Sequence, residues 1–174
     1  AGEPLSPRGP FPIGLRLSGR AAAEADANAC ARLEEWCGDH GFYIPTINGF
    51  PYGPFSLVPV KENVYLPDWR SEERLAYTQK LASLLDSWLP PGIAGSISTV
   101  PLGFRSHMQE GDYPLARKNL IRALEWLDRL KQKSGKIITL ALEPEPGCVL
   151  ETTAEVVSFF SRADLPKDLK KSKK

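Results

Sequence analysis

The sequence IITLALE, at residues 137–143, decides the fold of this chain. It is almost continuously apolar and ends in a carboxylate, which predicts a parallel β-strand buried on both faces. Similar short segments occur three times earlier, and each is followed by a stretch with helical periodicity. These earlier predicted strands are residues 13–18 (IGLRLS), 42–48 (FYIPTIN) and 95–100 (GSISTV).

Four predicted helices alternate with these strands. They cover about residues 21–37, 72–89, 114–133 and 152–160. Ser71 is placed to cap the second helix, and Thr152 with Glu155 forms a capping box at the start of the last one. The alternation predicts an α/β fold with parallel strands and right-handed crossovers. Both a doubly wound sheet and a TIM barrel satisfy this pattern.

The composition is that of an ordinary globular protein. The 174 residues are 42% hydrophobic and 25% charged, with a formal net charge of +1 at pH 7. This balance does not indicate nucleic-acid binding, and no apolar run approaches the roughly 18–20 residues that cross a bilayer. The length suits one domain but falls short of the about 250 residues of a closed TIM barrel.

Several sequence signals for other protein classes are missing. No GxGxxG follows the first predicted strand and no GxxxxGK[ST] occurs, so a Rossmann or P-loop nucleotide site is not predicted. Cys30, Cys37 and Cys148 have no metal-type spacing and are expected to be small buried hydrophobes. Free cysteines and the absence of a signal-type apolar segment predict a cytoplasmic protein without membrane insertion.

Polar residues at the predicted carboxyl ends of the strands are the first site candidates, because α/β folds bind ligands there. Glu143 and Glu145 follow the last strand and would face the same side if the chain stays extended. A carboxylate there can ligate a hard divalent cation or move a proton next to a carbonyl; the alternative is two solvated loop acids. Asn48 ends the second strand, and Arg105 and His107 follow the third. These three residues and Glu145 are substrate-binding candidates, with simple exposure as the alternative for the histidine.

The loop at residues 49–70 is too long for a simple βα connection of about 2–6 residues. It contains five aromatic residues, among them Phe50 and Tyr52, and several prolines. Two interpretations are equally favoured. The aromatic rings line a lid or pocket wall that contacts substrate, or they fill the mouth of the barrel as local core.

Several stretches together resemble a known family. GLRLS, TINGFPYGPF, VKENVYLPDWR, GSISTVPLGF and LALEPEPGCVLETTAEVVSFF are similar to the EboE metabolite traffic proteins, from a bacterial operon linked to export of secondary-metabolite precursors. That family belongs to the xylose-isomerase-like TIM barrels, which include sugar isomerases, sugar epimerases and endonuclease IV-type enzymes. The resemblance covers about residues 11–160, and NGFPYG, PDWR and LEPEPG are specific as a set.

The resemblance implies a partial (β/α)8 TIM barrel at residues 1–164, holding about strands two to five, and a disordered lysine-rich tail at residues 165–174. Glu143 matches a metal-ligating glutamate of the superfamily, which implies a divalent metal ion with further ligands from later strands. The implied function is traffic of a small metabolite, with a metal-dependent isomerase-type site. The alternatives are a sugar isomerase or epimerase that uses Glu143 as ligand and base, and a non-catalytic metabolite-binding or scaffold protein.

The partners implied by this reading are a small-molecule metabolite and export proteins met at the membrane periphery. Nucleic acid is not expected. A four-stranded part of a barrel would leave two strand edges open. It would also expose the apolar interior faces of its strands, so we expect the chain to self-associate.

Overall fold

The computed structural model describes residues 9–53 and 61–161. These residues form an α/β fold with four parallel strands that neighbour one another in chain order, as predicted. The strands are β1 (Phe11–Arg16), β2 (Phe42–Asn48), β3 (Gly95–Thr99) and β4 (Ile138–Leu142). The α-helices of the described residues are α1 (Gly19–Glu24), α2 (Ala27–Asp39), α3 (Glu72–Trp88), α4 (Asp112–Ser134) and α5 (Thr153–Ser161). Two short 3-10 helices cover Lys61–Tyr65 and Arg105–His107.

The prediction of a single helix at residues 21–37 is wrong, because the structure has two helices there, α1 and α2. Asp26 is the reason. Its Oδ1 accepts a hydrogen bond from the backbone N–H of Ala29 at 2.7 Å, and its own backbone is extended. An N-cap residue needs this extended conformation, so it begins a new helix and interrupts the preceding one.

The two predicted caps are confirmed. Ser71 accepts a hydrogen bond from the backbone N–H of Glu73 at 3.0 Å at the start of α3. Thr152 and Glu155 form the capping box before α5, because Thr152 Oγ1 accepts from the Glu155 N–H and Glu155 Oε2 accepts from the Thr152 N–H. Three free cysteines, two of them buried, also agree with the sequence prediction.

The helices pack on one face of the sheet. Apolar strand residues there join apolar residues of α3 in a single core cluster, which includes Ile44, Ile47, Ile97, Ile138, Leu81, Leu85 and Trp88. A second cluster lies under the loops that follow the strands and includes Phe50, Trp69, Leu75, Leu102, Leu120 and Phe159. Apolar burial therefore stabilises the sheet on its helix-covered face only.

A β-bulge in β2 keeps its apolar residues on the helix side. Between two pairs of aligned residues, β1 advances by two positions, from Pro12 to Gly14, while β2 advances by three, from Tyr43 to Thr46. The extra residue lies next to Pro45, which has no N–H to contribute to a ladder. Ile44 and Ile47, although three residues apart, are therefore both buried.

The opposite face of the sheet, called here the uncovered face, carries mostly small and polar side chains that are exposed or half-buried. It consists of Gly14, Arg16, Thr46, Asn48, Ser96, Ser98, Thr139 and Ala141. The expectation of exposed apolar interior faces is therefore wrong. The prediction that IITLALE is buried on both faces is also wrong, because no described element covers Thr139 and Ala141.

Two further predictions fall on residues that the structure does not describe. The predicted lysine-rich tail at residues 165–174 lies outside the described residues, and so does the middle of the loop at residues 49–70. Among the helices that the structure describes, none is both long and apolar enough to cross a bilayer.

Candidate functional site

The uncovered face carries two rows of aligned side chains that run across all four strands. The lower row consists of Gly14, Thr46, Ser96 and Thr139, and the upper row consists of Arg16, Asn48, Ser98 and Ala141. The upper row lies at the carboxyl ends of the strands, which is where parallel α/β folds bind ligands.

Two hydroxyl groups of the lower row, those of Thr46 and Ser96, lie within hydrogen-bond distance of each other. Thr46 Oγ1 lies 2.8 Å from Ser96 Oγ and donates to the Ser96 carbonyl at 3.2 Å. Gly14 has no side chain, and a Cβ placed there would lie 3.2 Å from the Thr46 methyl group. Thr46 and Ser96 are thus hydrogen-bonded within the lower row, while Gly14 and Thr139 are exposed.

The upper row has unused hydrogen-bonding groups. Asn48 Oδ1 accepts from the Phe50 N–H at 3.0 Å, while Asn48 Nδ2 has no partner among the described residues. Ser98 Oγ is buried and also has no hydrogen-bond partner there. Arg16 is exposed, and its Nη2 donates to the Gly53 carbonyl at 3.0 Å, which holds the guanidinium beside the loop after β2.

Glu143 lies directly after β4, at the carboxyl end of the strand as predicted. Its backbone N–H donates to the Thr99 carbonyl at 3.0 Å, which extends the β3–β4 ladder by one residue. Because side chains alternate along a strand, Glu143 shares the uncovered face with Thr139 and Ala141. The side chain is half-buried, and its carboxylate has no hydrogen bond or ion pair within the described part of the chain.

Glu145 lies two residues beyond Glu143, outside β4, and the expectation that the two glutamates face the same side stays a prediction. A turn begins at Glu145, whose carbonyl accepts from the Cys148 N–H at 3.1 Å, and Gly147 adopts a positive φ of 76° within it. Burial, and after it the negative charge of Glu145, raises the pKa of the Cys148 thiol to about 11. Cys148 is therefore a protonated, buried thiol and not a nucleophile.

Arg105 and His107 contact neighbouring loop residues. Arg105 Nη2 lies 2.7 Å from Glu155 Oε1, which ties the loop after β3 to the start of α5. His107 Nε2 lies 3.1 Å from Glu62 Oε2, and its ring lies 5.3 Å from that of Phe104. The structure thus gives both predicted substrate-binding residues a partner away from the upper row.

The aromatic residues near the start of the long loop behave as local core. Phe50 is 7% exposed and belongs to the second core cluster. Tyr52 packs edge-on against Tyr77 with ring centroids 5.0 Å apart, and it covers Gly19 so closely that a Cβ there would lie 2.3 Å from the ring. Of the two interpretations of this loop, the described residues favour packing, while Phe55 lies outside the described residues.

Sequence reasoning missed a buried arginine that organises this loop. Arg74 is fully buried, and it donates to the carbonyls of Pro67, Gly49 and Phe50 at 2.6, 2.7 and 3.0 Å. Burial lowers the pKa of its guanidinium to about 10. Arg74 lies four residues before Thr78 and therefore on the buried side of α3. A charged residue on this predicted buried side was the signal that could have revealed the role of Arg74.

A second buried charge completes what we call the strand-end network, formed by Asp68, Arg70, Arg74, Arg105, His107 and their partners. Asp68 is 2% exposed and accepts from the Arg70 side chain at 2.8 Å. Arg70 also reaches Asp112 of α4 at 3.0 Å and donates to the His107 carbonyl at 2.6 Å. These contacts lock the loops after β2 and β3 to the start of α4.

No group of three or more His, Cys, Asp or Glu side chains suited to a metal occurs among residues 9–53 and 61–161. Divalent cations of the hard type take several oxygen ligands, and Glu143 supplies only one carboxylate. Comparison with protein-family models, with curated proteins and with solved structures finds no match to this chain.

Proposed function

We propose that the chain contributes four consecutive βα units to a TIM barrel of the xylose-isomerase-like type. In this proposal it binds a small polar metabolite at the carboxyl ends of its strands, as an EboE-like protein in the traffic of a secondary-metabolite precursor. The free cysteines favour a cytoplasmic setting for this activity. The sequential parallel strand order supports the barrel, since a doubly wound sheet reverses its order and covers both faces.

A single observation carries the binding proposal. Asn48 Nδ2, Ser98 Oγ and the Glu143 carboxylate lie at the carboxyl end of the uncovered face, and none has a hydrogen-bond partner among the described residues. Polar groups that the fold leaves without partners, in the place where this class of fold binds ligands, are the groups expected to contact a ligand.

A metal-dependent isomerase or epimerase is the catalytic version of this proposal. Glu143 would supply one ligand to a divalent metal or would accept the proton next to a carbonyl. The metal, when bound, would polarise the carbonyl of the substrate. The specific support concerns the partners of the Glu143 carboxylate. A structural glutamate is commonly paired with a cationic side chain, whereas no cationic side chain among the described residues contacts Glu143.

A non-catalytic binding or scaffold protein is the second candidate. It is favoured by the lack of a metal-type cluster among residues 9–53 and 61–161. In that case, the same upper row would recognise the metabolite, and no metal would be needed.

The divalent-metal content of the protein distinguishes these candidates. The measurement is made with the remaining barrel units present, because one carboxylate alone is not expected to retain a metal. Glu143→Gln keeps the shape of the side chain and removes its charge, so we expect it to lose the bound metal. Glu125→Gln, on the exposed side of α4, is the matched control and should leave the metal content unchanged.

Three results are informative. Loss of metal only in Glu143→Gln supports the metal-dependent site. A protein without metal that still binds a metabolite through the upper row supports the non-catalytic candidate. Equal metal content and equal ligand binding in the wild type and Glu143→Gln would remove Glu143 from the site altogether.

A further inference from the structure

We propose that Asn48 is a modification site, at which the side-chain amide hydrolyses to a carboxylate when the Asn48–Gly49 peptide is released from the fold. Asn48 ends β2, and Gly49 follows it. An asparagine before a glycine loses its amide readily, because glycine has no side chain to shield its backbone nitrogen and allows the backbone to rotate. This chemistry does not depend on the proposed function.

The reaction consumes water and releases ammonia. The backbone nitrogen of Gly49 gives up its proton and attacks Asn48 Cγ, so that a new C–N bond closes a five-membered ring. The bond from Cγ to Nδ2 breaks, and the amide leaves as ammonia with the proton from Gly49. Water then opens the ring at one of its two carbonyl carbons, which gives aspartate or the isomer linked through its side chain. Either product replaces a neutral amide of the upper row by a carboxylate.

A hydrogen bond keeps the Gly49 nitrogen from attacking. Its N–H donates to the Ser98 carbonyl at 3.1 Å, which continues the pairing of β2 with β3 by one residue. Gly49 is buried, so the loss of this proton would forfeit a hydrogen bond in a place where water does not replace it. The same bond points the nitrogen towards β3, while ring closure needs the peptide after Asn48 to rotate towards Cγ.

The groups on either side of this nitrogen are held as well. Arg74 donates to the Gly49 carbonyl at 2.7 Å and to the Phe50 carbonyl at 3.0 Å. The Phe50 N–H donates to Asn48 Oδ1 at 3.0 Å, which holds the side-chain amide in place. Rotation of the Asn48–Gly49 peptide would disturb all of these contacts. Together with the contact to the Ser98 carbonyl, we call them the amide clamp.

Close packing explains why a glycine occupies position 49. A Cβ placed there would lie 2.8 Å from the Ser98 carbonyl oxygen and 2.7 Å from Leu81 Cδ1, and real Cβ atoms do not show such distances. The Ser98 oxygen belongs to the backbone of β3, so it does not move aside as the end of a flexible side chain does. The fold therefore requires glycine after Asn48, and the amide clamp protects the labile pair that results.

The test compares the folded protein with the same protein unfolded in urea, both incubated in mildly alkaline buffer. Peptide mass spectrometry measures the conversion of amide to acid at position 48. We expect Asn48 to react at least about a hundredfold more slowly in the folded protein than in the unfolded chain, because a protected segment reacts only while it is open. Asn48→Gln is the control and should not react in this time, since its longer side chain does not form the five-membered ring.

Two variants separate the amide clamp from overall stability. Arg74→Met removes the donor to the Gly49 and Phe50 carbonyls, whereas Leu84→Ala destabilises the core elsewhere on α3. Each reaction rate is divided by the fraction of unfolded chain that denaturant unfolding gives for that variant. After this correction, we expect Arg74→Met to react about tenfold or more faster than Leu84→Ala, because its opening is local.

Hydrogen exchange of the Gly49 N–H in the wild type is a further measurement that needs no variant. The amide clamp predicts slow exchange at Gly49 together with slow reaction of Asn48. The proposal is overturned if the folded protein reacts at position 48 as fast as the unfolded chain, or if the unfolded chain does not react there. Fast exchange of the Gly49 N–H, or equal corrected rates in the two variants, would overturn it too.

Discussion

The strand-end network and the upper row of the uncovered face lie at the same end of the sheet but use their polar groups in different ways. In the network, Asp68 and Arg74 are almost completely buried and every donor of Arg74 that the structure records meets a carbonyl. In the upper row, Asn48 Nδ2 and Ser98 Oγ meet nothing among the described residues.

The difference separates polar groups that stabilise the fold from polar groups that can contact a ligand. A buried charge is tolerated only when it is hydrogen-bonded, so removing Asp68 or Arg74 should reduce stability. A polar group without a partner adds little to folding, so replacing Ser98 should affect ligand binding and leave stability nearly unchanged. The predictions below test this contrast.

The largest effect is expected from Arg74→Met, which leaves three loop carbonyls without their donor. Because each buried unsatisfied polar group costs about 1–3 kcal/mol, we expect the free energy of unfolding to fall by about 3 kcal/mol or more. Denaturant unfolding measures this loss. Arg32→Met, on the exposed side of α2, is the control and should change stability by less than about 0.5 kcal/mol. A loss in Arg74→Met as small as in the control would show that the network does not stabilise the fold.

A smaller effect compares two residues of the uncovered face itself. Thr46→Val removes the hydroxyl that contacts Ser96 and should cost about 1 kcal/mol. Ser98→Ala removes a hydroxyl without a partner and should change the free energy of unfolding by less than about 0.5 kcal/mol, in either direction. If Ser98→Ala costs as much as Thr46→Val, then Ser98 has a structural partner and the upper row loses a candidate donor.

The smallest effect concerns pH. The backbone N–H groups of the α5 capping box and the Arg105 guanidinium lower the pKa of Glu155 from its ordinary 4.5 to about 2. A carboxylate whose pKa is lower in the folded state stabilises the fold above the unfolded value, and this contribution is lost as the pH falls from 4.5 through 2. The difference in unfolding free energy between wild type and Glu155→Gln should therefore be constant above about pH 5 and shrink below pH 4.5. A difference that does not change over this range would contradict the assignment of Glu155 as a capping carboxylate.

The sequence alone predicted the elements that depend on local patterns. The bounds of β2, Phe42–Asn48, agree with prediction, and the cap at Ser71 and the capping box of Thr152 and Glu155 were recognised from short-range spacing. Parallel strands followed from the alternation of strands and helices, whereas their sequential order was implied by the resemblance to TIM barrels. Caps and the periodicity of helices and strands can be predicted because they depend on residues a few positions apart in the chain.

Site prediction from the sequence was less complete. Glu143 was placed correctly at the end of β4, because the first polar residue after an apolar strand emerges at the strand end. Arg105 and His107 occupy the loop after β3 as predicted, but their partners, Glu155 and Glu62, are 50 and 45 residues away in the chain. Spacing cannot show which long-range partner a loop charge will find.

What the sequence by itself determined about this protein is the α/β order of its elements and the strand ends where its polar residues gather. Only the tertiary structure decided that Arg74 is buried under three carbonyls and that Asn48, Ser98 and Glu143 keep unused polar groups. The physical reason is that burial and hydrogen-bond pairing depend on which distant segments meet. The same polar residue is structural where the fold supplies a partner, and open to a ligand where it does not.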